Sequence, residues 1–313
     1  MRRIAAALAM PALLWAQAHI FVFHRFGDTR HPTTNTSIPT LKAEFDYLKQ
    51  NGYEVVTLSR IARALQRGEA PDDRWVALTI DDGYRSFYDN ALPLFKTYRY
   101  PFTLFVYTEA SEKGYGDFMS WEQLAEAAKY GEIGLHGDGH LHEVSESNET
   151  LAADTARGIA LIRKHLGITP RYYAYPYGEY DTRVRSLIQS FGFDLVLNQN
   201  SGAVDASSDP HNLDRIALTG KNLIQNKLRI GRFDAQWICP TKWPKDGRLK
   251  EIHAKIATTS NTAQLYVSGY GWRRVAVREG EIREKLDLPL KKRRTRLFLK
   301  VANRQNGIIL VKE

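Results

Sequence analysis

Between residues 19 and 225, short apolar runs alternate with amphipathic stretches. Runs rich in β-branched and aromatic side chains at 20–23, 53–56, 75–80, 102–106, 133–135, 172–175 and 194–197 predict strands. The intervening stretches carry apolar residues three and four apart. Leu41, Phe45 and Leu48 form one such face, and Ile159, Ile162 and Leu166 form another, with Gly167 and Pro170 as stop signals. Ser120 with Gln123 three residues on predicts a capping box opening a helix over 121–129. Strand followed by helix, repeated about seven times, predicts a parallel sheet covered by helices, most simply a closed or nearly closed (β/α) barrel.

From 226 to 313 the pattern changes to short alternating runs at 228–230, 249–256, 265–267 and 297–301, with no helical period of useful length. Asn306-Gly307 reads as a hairpin turn leading into 308–311. This tail predicts a small antiparallel β-sandwich of roughly ninety residues, near the usual size of such modules. The first eighteen residues read as an export signal: Arg2 and Arg3, an apolar stretch from Ile4 to Trp15, and Ala16-Gln17-Ala18 as a small-x-small cleavage pattern. That stretch falls short of the ~20 residues a membrane span needs. The mature chain would begin near His19, in the periplasm or outside the cell, with a retained, uncleaved anchor as the alternative. Cys239 is the single cysteine, so no internal disulfide can form and the core must supply stability.

Composition permits one large core with a smaller one, since 43% of the 313 residues are hydrophobic. The formal net charge of +9 is partly concentrated in Lys291-Lys292-Arg293-Arg294 and Arg296. Such a run reads first as a solvated loop, and otherwise as an electrostatic contact with an acidic cell envelope or polymer.

Candidate chemistry falls at predicted strand ends, where a β/α barrel places its working residues. Asp81-Asp82-Gly83 follows the strand ending at Ile80, and His136-Gly137-Asp138-Gly139-His140 follows 133–135. His24 follows 20–23, and Pro176-Tyr177-Gly178 follows 172–175. Singly, each has a structural explanation, because Asp and Gly form turns readily and a lone histidine is usually a satisfied core residue. Together they supply an Asp/His/His ligand set with one carboxylate to spare, the donors needed for metal-assisted hydrolysis. Two imidazoles and a carboxylate suit Zn2+, and also Co2+, Ni2+ or Fe2+. His142 is an alternative ligand to His140, and Asp138 either approaches the site or holds its loop. A glycosidase would need carboxylates ~5–9.5 Å apart across the bond, and neighbouring aspartates are poorly placed for that.

These motifs resemble those of the NodB-type polysaccharide deacetylases, carbohydrate esterase family 4, whose fold is a distorted (β/α) barrel. Thr79-Ile80-Asp81-Asp82-Gly83 is similar to the first motif, His136 to His140 to the second, and Pro176-Tyr177-Gly178 to the third. The resemblance implies that Asp81 is the catalytic base and that Asp82, His136 and His140 hold the metal. It departs at Ile80 and Gly137, and at Ala174, where an arginine two positions before Pro176 is usual, so no partner for Asp81 is identifiable. The late Leu-x-His motif is also missing. In the permuted poly-N-acetylglucosamine deacetylase branch that histidine lies on the first strand, which implies His24 as the acid, with His211 the weaker candidate. The backbone N–H of Tyr177 is the candidate oxyanion donor, and Pro176, Tyr175 and Trp121 are candidate substrate contacts. The expected activity is hydrolysis of N-acetyl groups on an exported or envelope polysaccharide, an N-acetylglucosamine polymer first. An O-acetyl esterase or a catalytically silent carbohydrate-binding protein on the same fold is the alternative. Neither a nucleic acid nor a stable protein partner is implied.

Overall fold

The computed structural model describes residues 16–220 and 223–312. Eight strands form the larger sheet: β1 (His19–Phe23), β2 (Glu54–Val56), β3 (Trp75–Ile80), β4 (Thr103–Val106), β5 (Glu132–Leu135), β6 (Tyr172–Ala174), β7 (Leu195–Leu197) and β8 (Ile216–Ala217). Their order is β8-β1-β3-β4-β5-β6-β7, with β2 paired to β3, and every pairing is parallel. Side-chain alternation divides the strands between two cores. Phe21, Phe23, Leu78, Ile80, Leu104 and Val106 pack with the covering helices. Ile20, Ala77, Phe105, Leu195 and Leu197 point the other way into the inner cluster.

The barrel is nearly closed rather than closed. β7 and β8 are not paired along their length. Instead Leu213 bridges Leu197, and its N–H donates to the Val196 carbonyl at 2.9 Å, a few residues before Ile216 and Ala217 join β1. The segment just before β8 therefore closes the gap. It also brings Arg215 inside.

The predicted helical faces are present. The helix Ile38–Gln50 buries Leu41, Phe45 and Leu48, and Trp121–Ala127 opens with the Ser120/Gln123 capping box. The helix Asn148–Leu166 stops at Gly167, whose φ of 68° an L side chain rarely adopts. No helix among the described residues is long and apolar enough to cross a membrane. Residues 1–15 of the expected export signal lie outside the described residues. Of the expected cleavage pattern, Ala18 is fully buried and its N–H donates to the Val204 carbonyl at 2.9 Å.

The carboxyl-terminal strands are β9 (Ala235–Cys239), β10 (Arg248–Ile256), β11 (Thr262–Val267), β12 (Gly271–Ala276), β13 (Glu281–Pro289), β14 (Arg294–Val301) and β15 (Arg304–Val311). A three-stranded sheet, β9-β10-β13, faces a five-stranded one in the order Gly231–Arg232, β15, β14, β11, β12. Ile252, Ala254 and Ile282 of the first share one core with Leu265, Val275, Leu297 and Leu299 of the second. Two details differ from the sequence expectation. Residues 228–230 are not a strand but follow a helical turn, Ile224–Lys227. The hairpin joining β14 to β15 turns at Ala302 and Asn303, while Asn306-Gly307 lies within β15. Packing overrides the turn signal there, because a Cβ on Gly307 would come within 2.3 Å of the Phe298 ring on the paired strand.

Gly134 on β5 is under a similar constraint, since a Cβ there would stand 2.5 Å from the Phe105 ring and 3.1 Å from the Tyr172 carbonyl oxygen. Gly134→Ala is expected to destabilise the fold by about 1–3 kcal/mol through overpacking. The check is urea unfolding, where the midpoint should fall with the slope preserved.

Candidate metal and active site

The Asp81 N–H extends the strand ladder by donating to the Phe23 carbonyl at 2.9 Å, and the chain then leaves the sheet abruptly. Asp82 and Gly83 have φ of 71° and 76°. A non-glycine residue in that region is uncommon, and here it sends two adjacent carboxylates in different directions. Asp81 turns inward to Arg215. Asp82 turns to the histidines.

The His136 N–H donates to the Val106 carbonyl at 2.9 Å, and its Nδ1 lies 2.7 Å from the Ala174 carbonyl oxygen. A carbonyl only accepts, so Nδ1 carries the proton and Nε2 faces Asp82 Oδ1, 3.3 Å away. His140, at φ 48°, brings its Nε2 to 3.1 Å from the same oxygen. One ligand atom from each of Asp82, His136 and His140 lies within 4.8 Å of the other two. With Nδ1 carrying its proton, Nε2 donates to the carboxylate when the ring is an imidazolium and is free to ligate a cation when the ring is neutral. The donor set fits a divalent cation. Burial works to push the Asp82 carboxyl upward, but the bonds from His136 and His140 outweigh it and hold it well below the usual carboxylate range.

The histidine loop is tied down by Asp154, whose carboxylate accepts from the Asp138 and Gly139 N–H groups at 2.8 and 2.6 Å. Asp138 itself points to Thr108 Oγ1 at 2.7 Å and Arg157 at 3.0 Å, so it holds the loop rather than joining the metal cluster.

Asp81 is fully buried against an equally buried arginine. Arg215 Nη1 lies 2.6 Å from Oδ1 and Nη2 2.8 Å from Oδ2, while Nη1 also reaches Thr79 Oγ1 and Nε donates to the Asn198 carbonyl. Burial favours a neutral Asp81, yet the Arg215 and His136 charges prevail and keep its carboxyl below the ordinary range. Sequence reading missed this arginine because it lies 134 positions from its partner. The only local signal was an arginine at the start of a short apolar run, Ile216-Ala217-Leu218.

His24 lies in the field of Asp82, Asp81 and Arg215, and its Nδ1 is buried without a hydrogen-bond partner. Burial holds its pKa below the ordinary imidazole range. His211 is elsewhere, 3.3 Å from the Gln189 amide on the far end of the helix Thr182–Gln189. Tyr177, at φ 60°, stacks on His142 at 4.1 Å and meets the His140 ring edge-on at 4.4 Å. His142 is committed to Glu179 at 2.9 Å and is not in the ligand cluster. Pro176 is buried beneath the histidine loop, where a Cβ on Gly137 would lie 3.6 Å from its ring. Of the expected substrate contacts, Tyr175 is fully buried against Tyr173 and Tyr180, and Trp121 is half-buried, stacking on His165 while bonding Glu112. Apolar packing claims the first ring and a helix surface the second.

Residues 68–196 match the family described as Polysaccharide deacetylase. The chain is 25% identical over 281 residues to the poly-beta-1,6-N-acetyl-D-glucosamine N-deacetylase of Escherichia coli (strain K12), a match covering 76% of this chain and 40% of that relative. It thus spans under half the length of the curated relative. Among solved structures it is similar to IcaB from Ammonifex degensii, with 28% identity, a TM-score of 0.61, and coverage of 68% of this chain and 96% of the other. The Streptococcus pyogenes deacetylase PplD in complex with acetate shares the fold, at 22% identity and a TM-score of 0.63 over 67% of this chain and 98% of the other.

Arg215→Met is expected to cost about 3–5 kcal/mol, because it strands a buried carboxylate. In a denaturation cycle, Asp81→Asn/Arg215→Met should lose clearly less than the two single losses added together.

Proposed function

We propose that this chain, which carries a polysaccharide deacetylase domain, is a metal-dependent hydrolase that removes acetyl groups from the N-acetyl amides of an exported or cell-envelope polysaccharide. The carrying observation is an Asp/His/His ligand set, buried at Asp82 and His136 and half-buried at His140, beside a second aspartate that has its own arginine. We take residues 19–225 as the catalytic domain, 226–313 as a β-sandwich domain, and 1–18 as a signal directing export to the periplasm or the medium. The named activity of the Escherichia coli relative and the likeness to IcaB support an N-acetylglucosamine polymer as substrate.

Asp82, His136 and His140 would hold the ion, for which zinc is our assignment, with cobalt, nickel and ferrous iron fitting the same donors. When bound, a divalent ion lowers the pKa of water towards ~7 and polarises a carbonyl. Asp81, kept ionised by Arg215, accepts the proton of the attacking water. The Tyr177 N–H donates to the oxygen on which negative charge develops as the amide carbon becomes tetrahedral. His24 delivers a proton to the departing amine nitrogen; its depressed pKa makes the imidazolium, once formed, a stronger acid than histidine in water. The C–N bond breaks, and the products are acetate and the free amine.

Because the two aspartates do different work, their variants should fail differently. Asp82→Asn is expected to lose both bound metal and acetate release, whereas Asp81→Asn should keep the metal and lose turnover. His24→Ala should retain metal and slow acetate release by about 10²–10⁴. Elemental analysis of purified protein, paired with acetate assays on N-acetylated oligosaccharides, reads all three. Full activity in chelator-stripped protein, or a metal content unchanged in Asp82→Asn, would overturn the assignment.

A further inference from the structure

We propose that the outer face of the five-stranded sheet forms a wall of the catalytic groove, on which Trp272, Tyr266 and Phe298 hold successive sugar rings of the N-acetylated polymer; this rests on the polymer reading above. The three residues sit directly opposite one another on adjacent strands β12, β11 and β14, in the register Trp272 to Tyr266 to Phe298. Their ring centres are 5.2 and 5.8 Å apart. The alternate residues Leu265, Leu297 and Leu299 are buried in the sandwich core, so the aromatic row lies on the face turned away from it. Outward positions of a sandwich are ordinarily polar, yet here the row ends at Trp272, which is 47% exposed. Gly307 beside Phe298 leaves the room this ring occupies against the sheet.

The row continues toward the chemistry. Two residues before Phe298 on the same face of β14, Arg296 reaches Gln199 Oε1 at 3.4 Å, and the Gln199 amide stands 3.5 Å from Asp81 Oδ2. Arg294, two further on, donates to the Tyr177 carbonyl. Arg296, two residues along β14 from the inner end of the aromatic row, is thus joined to Asp81 through one glutamine. A sugar ring presents an apolar C–H face and a rim of hydroxyl and acetamide oxygens. Aromatic side chains take the former with little loss of conformational entropy, and guanidinium N–H groups take the latter. The charged and titratable neighbours of Arg296 are Arg294 and Tyr266, with no carboxylate among them, which leaves its remaining donors for such oxygens. The same positive charge disfavours a deacetylated unit, whose amine is an ammonium near neutral pH, so the wall selects acetylated stretches.

Binding is read in the metal-loaded Asp81→Asn chain by titration calorimetry with a hexamer of N-acetylglucosamine. Adding Trp272→Ala or Tyr266→Ala is expected to weaken hexamer affinity about tenfold, and Trp272→Phe should recover most of it. In the otherwise native chain, Trp272→Ala should raise KM for the hexamer about tenfold relative to KM for a single N-acetylglucosamine unit. Lys250→Ala on the opposite sheet serves as the unaltered control. Unchanged hexamer affinity in both alanine variants overturns the wall, as does a change of oligomeric state in sedimentation, which would make this face a self-association surface. Hexamer binding that depends on Trp272 in a chain whose parent releases no acetate would overturn the hydrolase reading and leave the wall standing. Acetate release with parental KM values in both variants would do the reverse.

Discussion

Two neighbouring carboxylates cannot both stay ionised in one buried pocket unless each has a positive partner of its own, and the architecture follows from that constraint. Asp81 and Asp82 are adjacent in the chain and both are nearly excluded from solvent. The left-handed backbone at Asp82 separates them, giving Arg215 to one and the paired imidazoles to the other. Had the strand simply continued, the side chains would have alternated across the sheet and one carboxylate would have entered an apolar core. The conformational cost at Asp82 is therefore offset by two sets of charge-assisted bonds rather than one.

The same logic explains why the barrel closes where it does. Arg215 must reach Asp81 from inside, and the segment before β8 both bridges toward β7 and pairs with β1, the neighbour of the strand that carries Asp81. Its guanidinium also lies 5.4 Å from the Phe105 ring, a flat apolar surface that suits a planar cation. The missing arginine at Ala174 is then no gap. Ala174 is fully buried on β6, and its carbonyl fixes the His136 tautomer.

How much of this was legible in the sequence depended on the range of the interaction that decides it. The strands and helices of the larger sheet, the capping box at Ser120 and the convergence of Asp82, His136 and His140 follow from local periodicity and from the rule that strand ends meet on one rim. Arg215 was not legible, because nothing near it in the chain marks it as the partner of a residue more than a hundred positions away. The sequence is equally silent on how aromatic rings near a motif pack: Tyr175 is covered by Tyr180, and one face of Trp121 by His165. Asn306-Gly307 has the composition of a turn but the position of a strand, since pairing with Phe298 rewards the absent side chain more than the turn would.

The basic run divides between solvent and the rim of the barrel. A solvated loop was the first expectation, and Lys291, Lys292 and Arg293 are exposed outside the strand; at its edge Arg293 reaches Ser145 Oγ at 2.5 Å, while on β14 Arg294 bonds the Tyr177 carbonyl and Arg296 approaches Gln199. These are neutral partners on the rim of the barrel, and a cation held by neutral groups keeps its field instead of cancelling it. That field acts on the rim beside Tyr177 and Gln199. Long-range attraction to an acidic partner needs only net charge, but an arginine fixed one glutamine away from Asp81 acts at a defined place beside that carboxylate.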